Sequence, residues 1–231
     1  MNNLSLVIPY YNSSNIIPRK FEEWQAYDED IKKCLEIVIV DDGSPESTAF
    51  SSHWVDTDLD IKLYKIDIDI PWNECGANNL GFKVATNSWI LRSDIDWYIP
   101  NDILRYIMTT ELLEGSYYVF PGRNFSTKEE LSSPYNIYVM HRDTFWKVGG
   151  YDEDCRGYYG SDLTFRHRVD RVFCVNQVGL DGRYVEGYYG VSDQHGLQRD
   201  PTFCRNLLEE KIRNNNLVPT DYLRFTWSKV K

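Results

Sequence analysis

Through the first half of the chain, apolar runs of strand length alternate with helix-length segments, and each run stops abruptly at polar residues. Leu4-Ser5-Leu6-Val7-Ile8 stops at Pro9, Ile37-Val38-Ile39-Val40 stops at Asp41, and Trp89-Ile90-Leu91 runs into Asp94 and Asp96. A short, nearly continuous apolar run bounded by turn residues reads as a strand buried on both faces. Strands of that kind need helices above and below them. The pattern therefore confines the chain to the α/β class, with a doubly wound, mainly parallel central sheet.

The intervening segments fit that frame. Ser14 or Asn15 caps a helix expected to reach about Lys33, with Ile17, Phe21 and Trp24 on one face and Pro18 in the first turn. A short helix is expected over residues 46–53 and a third strand over 61–66. Residues 72–86 read as a helix whose small residues, Gly76, Ala77, Gly81 and Ala85, permit close packing on a sheet. Pro100-Asn101-Asp102 opens a helix over 103–113, and strands follow at 117–120 and 137–140, separated by a polar, mobile loop at 126–134. A helical turn at 144–147, a helix over 161–172, a last strand at 173–175, irregular chain over 179–199 and a helix over 202–214 complete the reading. With no repeat, low-complexity tract or linker, residues 1–231 are expected to form one domain.

The formal net charge is −10, from 25 basic and 35 acidic side chains, which argues against a nucleic-acid partner. The five cysteines are odd in number and contain no C-x-x-C pair, as expected of reduced thiols in a cytoplasmic protein. The N-terminal apolar run is only strand length, so no signal peptide is expected, and no segment reaches the length of a transmembrane span.

In a parallel sheet the carboxyl ends of the strands share one rim, and ligands bind there. Three polar loops fall on it: Pro9-Tyr10-Tyr11-Asn12, Asp41-Asp42-Gly43-Ser44 and Asp94-Ile95-Asp96. Each alone reads as a turn. Together they describe a nucleotide site: Tyr10 or Tyr11 stacks on a base, an aspartate after the second strand accepts from base or ribose, and the acidic pair holds a diphosphate through a cation. Two carboxylates so close in sequence favour a hard divalent ion with oxygen ligands.

These segments, with Gly76-Ala77-Asn78-Asn79-Leu80-Gly81 and the stretch from Gly149-Gly150-Tyr151-Asp152-Glu153 to Gly160-Ser161-Asp162, resemble the inverting, family 2 type glycosyltransferases of the GT-A fold. The resemblance spans residues 4–170 and implies a half that binds a nucleotide sugar (about 1–122) and an irregular half that binds the acceptor (about 123–231). It implies transfer from a nucleotide-diphosphate sugar, UDP-sugars favoured, to a hydroxyl of a carbohydrate or other acceptor, with inversion, in glycan or polysaccharide synthesis. The nucleotide sugar would meet Pro9, Tyr10, Tyr11, Asn12, Asp41, Asp42, Asn79 and Asp94. Mn²⁺ or Mg²⁺ would be held by Asp96, by Asp94 (unless Asp94 serves the ribose) and by His195, which is otherwise an ordinary loop histidine. Asp162 would be the general base, or else a first-turn helix acid.

Two departures stand out. Asn78-Asn79 replaces the family's usual Arg-Asn, removing one diphosphate contact, and Ser161-Asp162 replaces its usual Glu-Asp, leaving one carboxylate there. The alternatives are a sugar-phosphate nucleotidyltransferase, disfavoured because the loop after the first strand lacks Gly, Arg and Lys, and a catalytically silent carbohydrate-binding protein on this fold. Arg123 either neutralises phosphate or faces solvent, and Trp72, Trp97, Tyr158 and Tyr159 either form a sugar platform or pack at the rim.

Overall fold

A computed structural model describes residues 2–50, 58–180, 182–188 and 198–231. Strand β1 (Leu4–Tyr10) leads through a 3₁₀ turn into α1 (Ile17–Gln25) and α2 (Glu29–Lys32), followed by β2 (Leu35–Asp41) and β3 (Asp60–Ile66). Then come α3 (Glu74–Val84), β4 (Trp89–Arg92), β5 (Trp97–Tyr98), α4 (Asn101–Thr109), β6 (Ser116–Val119), β7 (Gly122–Asn124) and β8 (Glu130–Leu131). The chain continues through β9 (Tyr138–His141), α5 (Arg142–Lys147), α6 (Ser161–His167), β10 (Asn176–Gly179), β11 (Val185–Gly187), α7 (Thr202–Arg213) and β12 (Trp227–Lys229).

Among the described residues, eight strands form the main sheet in the order β10-β6-β9-β4-β1-β2-β3-β12. Its centre is parallel, with β1 between β2 and β4, while β9 and β12 run antiparallel to their neighbours. The chain lays β2 and β3 on one side of β1 and then returns to place β4 on the other. That reversal is a topological switch point, where an α/β sheet opens a crevice at its strand ends. A second, four-stranded sheet, β5-β11-β7-β8, stands beside that crevice.

Alternation along the strands divides the core. Leu4, Leu6 and Ile8 of β1 pack with Phe21, Trp24, Ile103 and Ile107 on one face of the sheet. Val7, Val38 and Val40 pack on the other with Ala77, Leu80 and Phe82. Helix α3 lies so close to the sheet that a β-carbon on Gly81 would come within 2.3 Å of Val7 Cγ1.

Several boundaries differ from expectation. The helix expected through Lys33 breaks after Gln25, because Asp28 adopts extended backbone (ψ 143°) and its carbonyl accepts from Ile31 and Lys32 to start α2. Residues 46–48 form only a turn, closed by Thr48 and Ala49 donating to Pro45 O, and the rest of the expected helix, from 51 on, lies outside the described residues. The expected loop at 126–134 contains β8, which pairs with β7 across a turn where Asn124 Oδ1 accepts from Ser126 and Thr127. The strand expected at 173–175 begins at Asn176, since Cys174 turns left-handed (φ 48°) and Val175 N–H donates back to Val169 O. Helix α6 continues as a π-helix over Arg168–Val172. No described helix is long and apolar enough to cross a membrane.

Candidate functional site

The rim loops at β1, β2 and β4 are stitched together by their backbones. Asp42 N–H donates to Tyr10 O (2.8 Å), Ser93 N–H donates to Val7 O (3.0 Å), and Asn12 N–H donates to Ser44 Oγ (2.9 Å) with Asn12 itself left-handed (φ 46°). Gly43 is also left-handed (φ 75°), and a β-carbon there would strike Ile68 O at 2.5 Å, so the turn requires glycine. These loops bound a cleft of about 360 Å³. Pro9, Tyr10, Tyr11, Asp42, Asp94 and Asp96 line it, joined by Trp72, Glu74, Trp97, Asn136, Tyr159 and Arg199.

The structure thus brings together most of the expected site. Asp42 is buried, accepts from Asn73 Nδ2 (2.7 Å), and has its pKa pushed up to about 8, chiefly by burial and secondarily by Asp41, Glu74 and Asp69. Tyr11 is half-buried and its hydroxyl donates to Asp69 (3.2 Å), which leaves its ring at the cleft wall. Tyr10 is almost fully buried, with its hydroxyl on Thr48 O (2.5 Å) and its ring edge-on to Phe50, so of the two tyrosines Tyr11 leaves more of its ring accessible at the cleft.

Four expectations need correction. Asp41 faces away from the cleft: its two oxygens accept from Ser44 N–H and Phe50 N–H, both at 2.9 Å, and hold the turn that presents Asp42. Asn79 is consumed inside the fold. Its amide donates to Tyr151 O (2.9 Å) and Glu153 (3.0 Å) and accepts from Tyr151 N–H (2.8 Å), clamping α3 to the Gly149-Gly150-Tyr151 turn. Asn12 acts through its backbone at the rim and is not among the lining residues. Arg123 pairs with the buried Glu186 of β11 and is not among the residues that line the cleft. His195 lies outside the described residues.

Beneath the cleft is a cluster absent from the sequence reading. Arg92, at the end of β4, is fully buried. Its guanidinium donates to Asp94 (2.5 Å), Glu74, Asn136 O (2.6 Å) and Asn78 (2.9 Å). Burial opposes its charge, but Asp94 and Glu74 outweigh that and hold it ionised. Arg92 thus brings a guanidinium up to Asn78 of α3. An arginine inside an otherwise apolar strand was the available signal, since such a residue is buried only when paired.

Asp162 sits in the first turn of α6, after a left-handed Gly160 (φ 104°). It is half-buried, and burial raises its pKa, countered by its own and Leu163 backbone N–H groups and by Arg92. Glu74 is likewise raised by burial, with Asp94 and Asp162 adding to the effect. Asp162 therefore belongs to the electrostatic cluster around Arg92 but is not itself a lining residue of the cleft.

Asp42, Glu74, Asp94 and Asp96 make the cleft acidic, and among the described lining residues only Arg199 is basic. Ionised Asp94 and Asp96 would repel an anionic ligand there unless a cation offset their charge. Mg²⁺-type ions are commonly held by one or two carboxylates plus substrate phosphates. Asp94 and Asp96 supply that donor set, although one Asp94 oxygen is engaged by Arg92 and no cluster of three or more acidic, His or Cys ligands occurs among the described residues.

The fold and cleft define a GT-A type protein. Residues 5–169 match the profile of Glycosyl transferase family 2, and the chain belongs to that family. It is 28% identical over 141 residues to chondroitin synthase of Pasteurella multocida, covering 58% of this chain but only 14% of that protein. Among solved structures it resembles S. aureus TarS 1–349 in complex with UDP-GlcNAc (TM-score 0.71, 16% identity, 92% of this chain and 67% of that one). It also resembles a Pyrobaculum calidifontis mannosyltransferase in complex with GDP-Man and Mn²⁺ (TM-score 0.62, 15% identity, 84% and 58%).

Proposed function

We propose that the chain transfers a sugar from a nucleotide-diphosphate sugar, UDP-sugars favoured, to a hydroxyl acceptor with inversion. The observation that carries this is the convergence of Asp42, Asp94 and Asp96 on one cleft from the ends of β2 and β4, the two strands that flank β1 at the switch point. The complexes of TarS with UDP-GlcNAc and of the mannosyltransferase with GDP-Man support a nucleotide-sugar ligand.

In this reading the base lies against the Tyr11 ring and donates its N–H to Asp42. Asp94 and Asp96 would hold Mn²⁺ or Mg²⁺, which would offset charge on the departing diphosphate. Arg92 keeps Asp94 oriented and limits acid–acid repulsion beneath the phosphates. Asp162 takes the proton from the acceptor hydroxyl. That oxygen bonds to the anomeric carbon from the face opposite the diphosphate, as the sugar–diphosphate bond breaks and its electron pair leaves with the nucleotide. A carboxylate lifted from its usual range by burial is better matched to that proton transfer at neutral pH.

Incubation with a panel of UDP-sugars and GDP-mannose, with Mn²⁺ present, should release nucleoside diphosphate from one donor. Asp162→Asn should still bind that donor but lose transfer by at least about a hundredfold, the usual scale of a general base. Release from no donor, or undiminished transfer by Asp162→Asn, contradicts the reading.

A further inference from the structure

A second groove, of about 560 Å³, adjoins the cleft, and the two share Trp72 as a wall. Its lining includes a pair of rings from distant parts of the chain. Tyr158 and Phe203, the latter in the first turn of α7, stack with centroids 3.6 Å apart and planes 13° from parallel. Both remain substantially exposed, at 45% and 38%. A tightly stacked aromatic pair left open to solvent marks a binding surface more readily than packing.

The other features of the groove point the same way. Gly157 N–H donates to Pro71 O (2.8 Å), fixing the floor, and a β-carbon on Gly157 would meet nothing within 4 Å. Trp72 is left-handed (φ 48°), a strained conformation for a bulky residue, and its ring meets Tyr159 edge-on at 5.1 Å. Asp200, Thr202 and Asn206 place a carboxylate, a hydroxyl and an amide among these rings. Apolar ring faces interleaved with short hydrogen-bonding groups match a sugar, which presents C–H faces and a belt of hydroxyls. A phosphorylated ligand would meet the Asp200 carboxylate with no basic residue in the described lining, and a polyprenyl chain would leave the polar groups unpartnered.

We propose that this groove is a carbohydrate subsite holding an inner sugar of an extended acceptor, with the terminal sugar reaching past Trp72 into the donor cleft. The acceptor is then an oligosaccharide or glycan chain rather than a single sugar. This rests on the donor reading above.

Asn206 is exposed on α7, so Asn206→Trp would fill the groove without disturbing the core. Wild-type chain and this variant would be passed over a printed array of neutral mono- to hexasaccharides, and the thermal shift of each with UDP and Mn²⁺ would be measured separately. Wild-type chain should retain particular oligosaccharides of two or more units, Asn206→Trp should lose them at least tenfold, and Phe203→Ala should weaken them. The UDP-dependent shift should be the same in wild type and Asn206→Trp. Retention of no oligosaccharide, equal retention by Asn206→Trp, or groove-dependent binding to polyprenyl-phosphate vesicles instead would overturn the subsite. Absence of the UDP shift in wild type would count against the donor reading alone.

Discussion

At the scale of residues, Asp42 holds its proton near neutrality because its cleft-facing position is still buried, with its pKa at about 8. An unfolded aspartate releases its proton near about pH 4. Between about pH 4 and 8 the folded state therefore binds more protons than the unfolded state, so stability falls as pH rises through that window and the full cost stands above it. Asp42→Asn cannot ionise. Its melting temperature in the absence of nucleotide should decline less between about pH 5 and 9 than that of wild type, measured by calorimetry in matched buffers. An unchanged decline would mean another group carries the titration. Asp42, Asp94 and Asp96 were legible because each follows an apolar strand whose end must lie on the rim. Asn79 and Asp41 were misread because an amide or carboxylate beside a motif does not reveal which way it points. Backbone groups claimed both, those of nearby Ser44 and Phe50 for Asp41 and those of the distant Tyr151 for Asn79. Glu74 and Arg92 needed the fold, since the packing of α3 on β1 and β2 sets the helix start against the end of β4.

At the scale of elements, the helix that carries Glu74 is placed by its glycines. Gly81 permits α3 to press against Val7, where a methyl group would sit 2.3 Å from Cγ1. Gly81→Ala should cost about 1–3 kcal/mol by overpacking, despite alanine's better helix propensity. Urea unfolding would measure this, and a stabilised variant would mean the helix can shift outward freely. The long buried strands were readable because every residue from 35 to 41 is apolar or pinned, as Glu36 is by Ser5, Lys62 and Thr86. The second sheet was not, because strands of two or three residues are too short to show a period. They exist through pairing with each other and through the buried Glu186, whose carboxylate gathers Arg123 and Lys128.

At the scale of the molecule, the doubly wound class followed from alternation, and the crevice followed from the class. The order of strands did not, since it depends on where β4 docks and on antiparallel β9 and β12, which no local pattern specifies. The stretch expected to serve the acceptor braces the fold. Buried Glu153 accepts from Asn79, from Leu223 N–H (2.7 Å) and from Arg224 N–H (3.1 Å), tying α3 to the C-terminal segment. The cleft is lined by carboxyl groups on a chain of net charge −10, so in the proposed reading a diphosphate binds only with a cation. Calorimetric titration of UDP, with Mn²⁺ and then with the metal chelated, tests this most directly. The account predicts binding with Mn²⁺ that is lost on chelation and lost in Asp96→Asn. Equal binding with and without metal, or undiminished binding by Asp96→Asn, would contradict it.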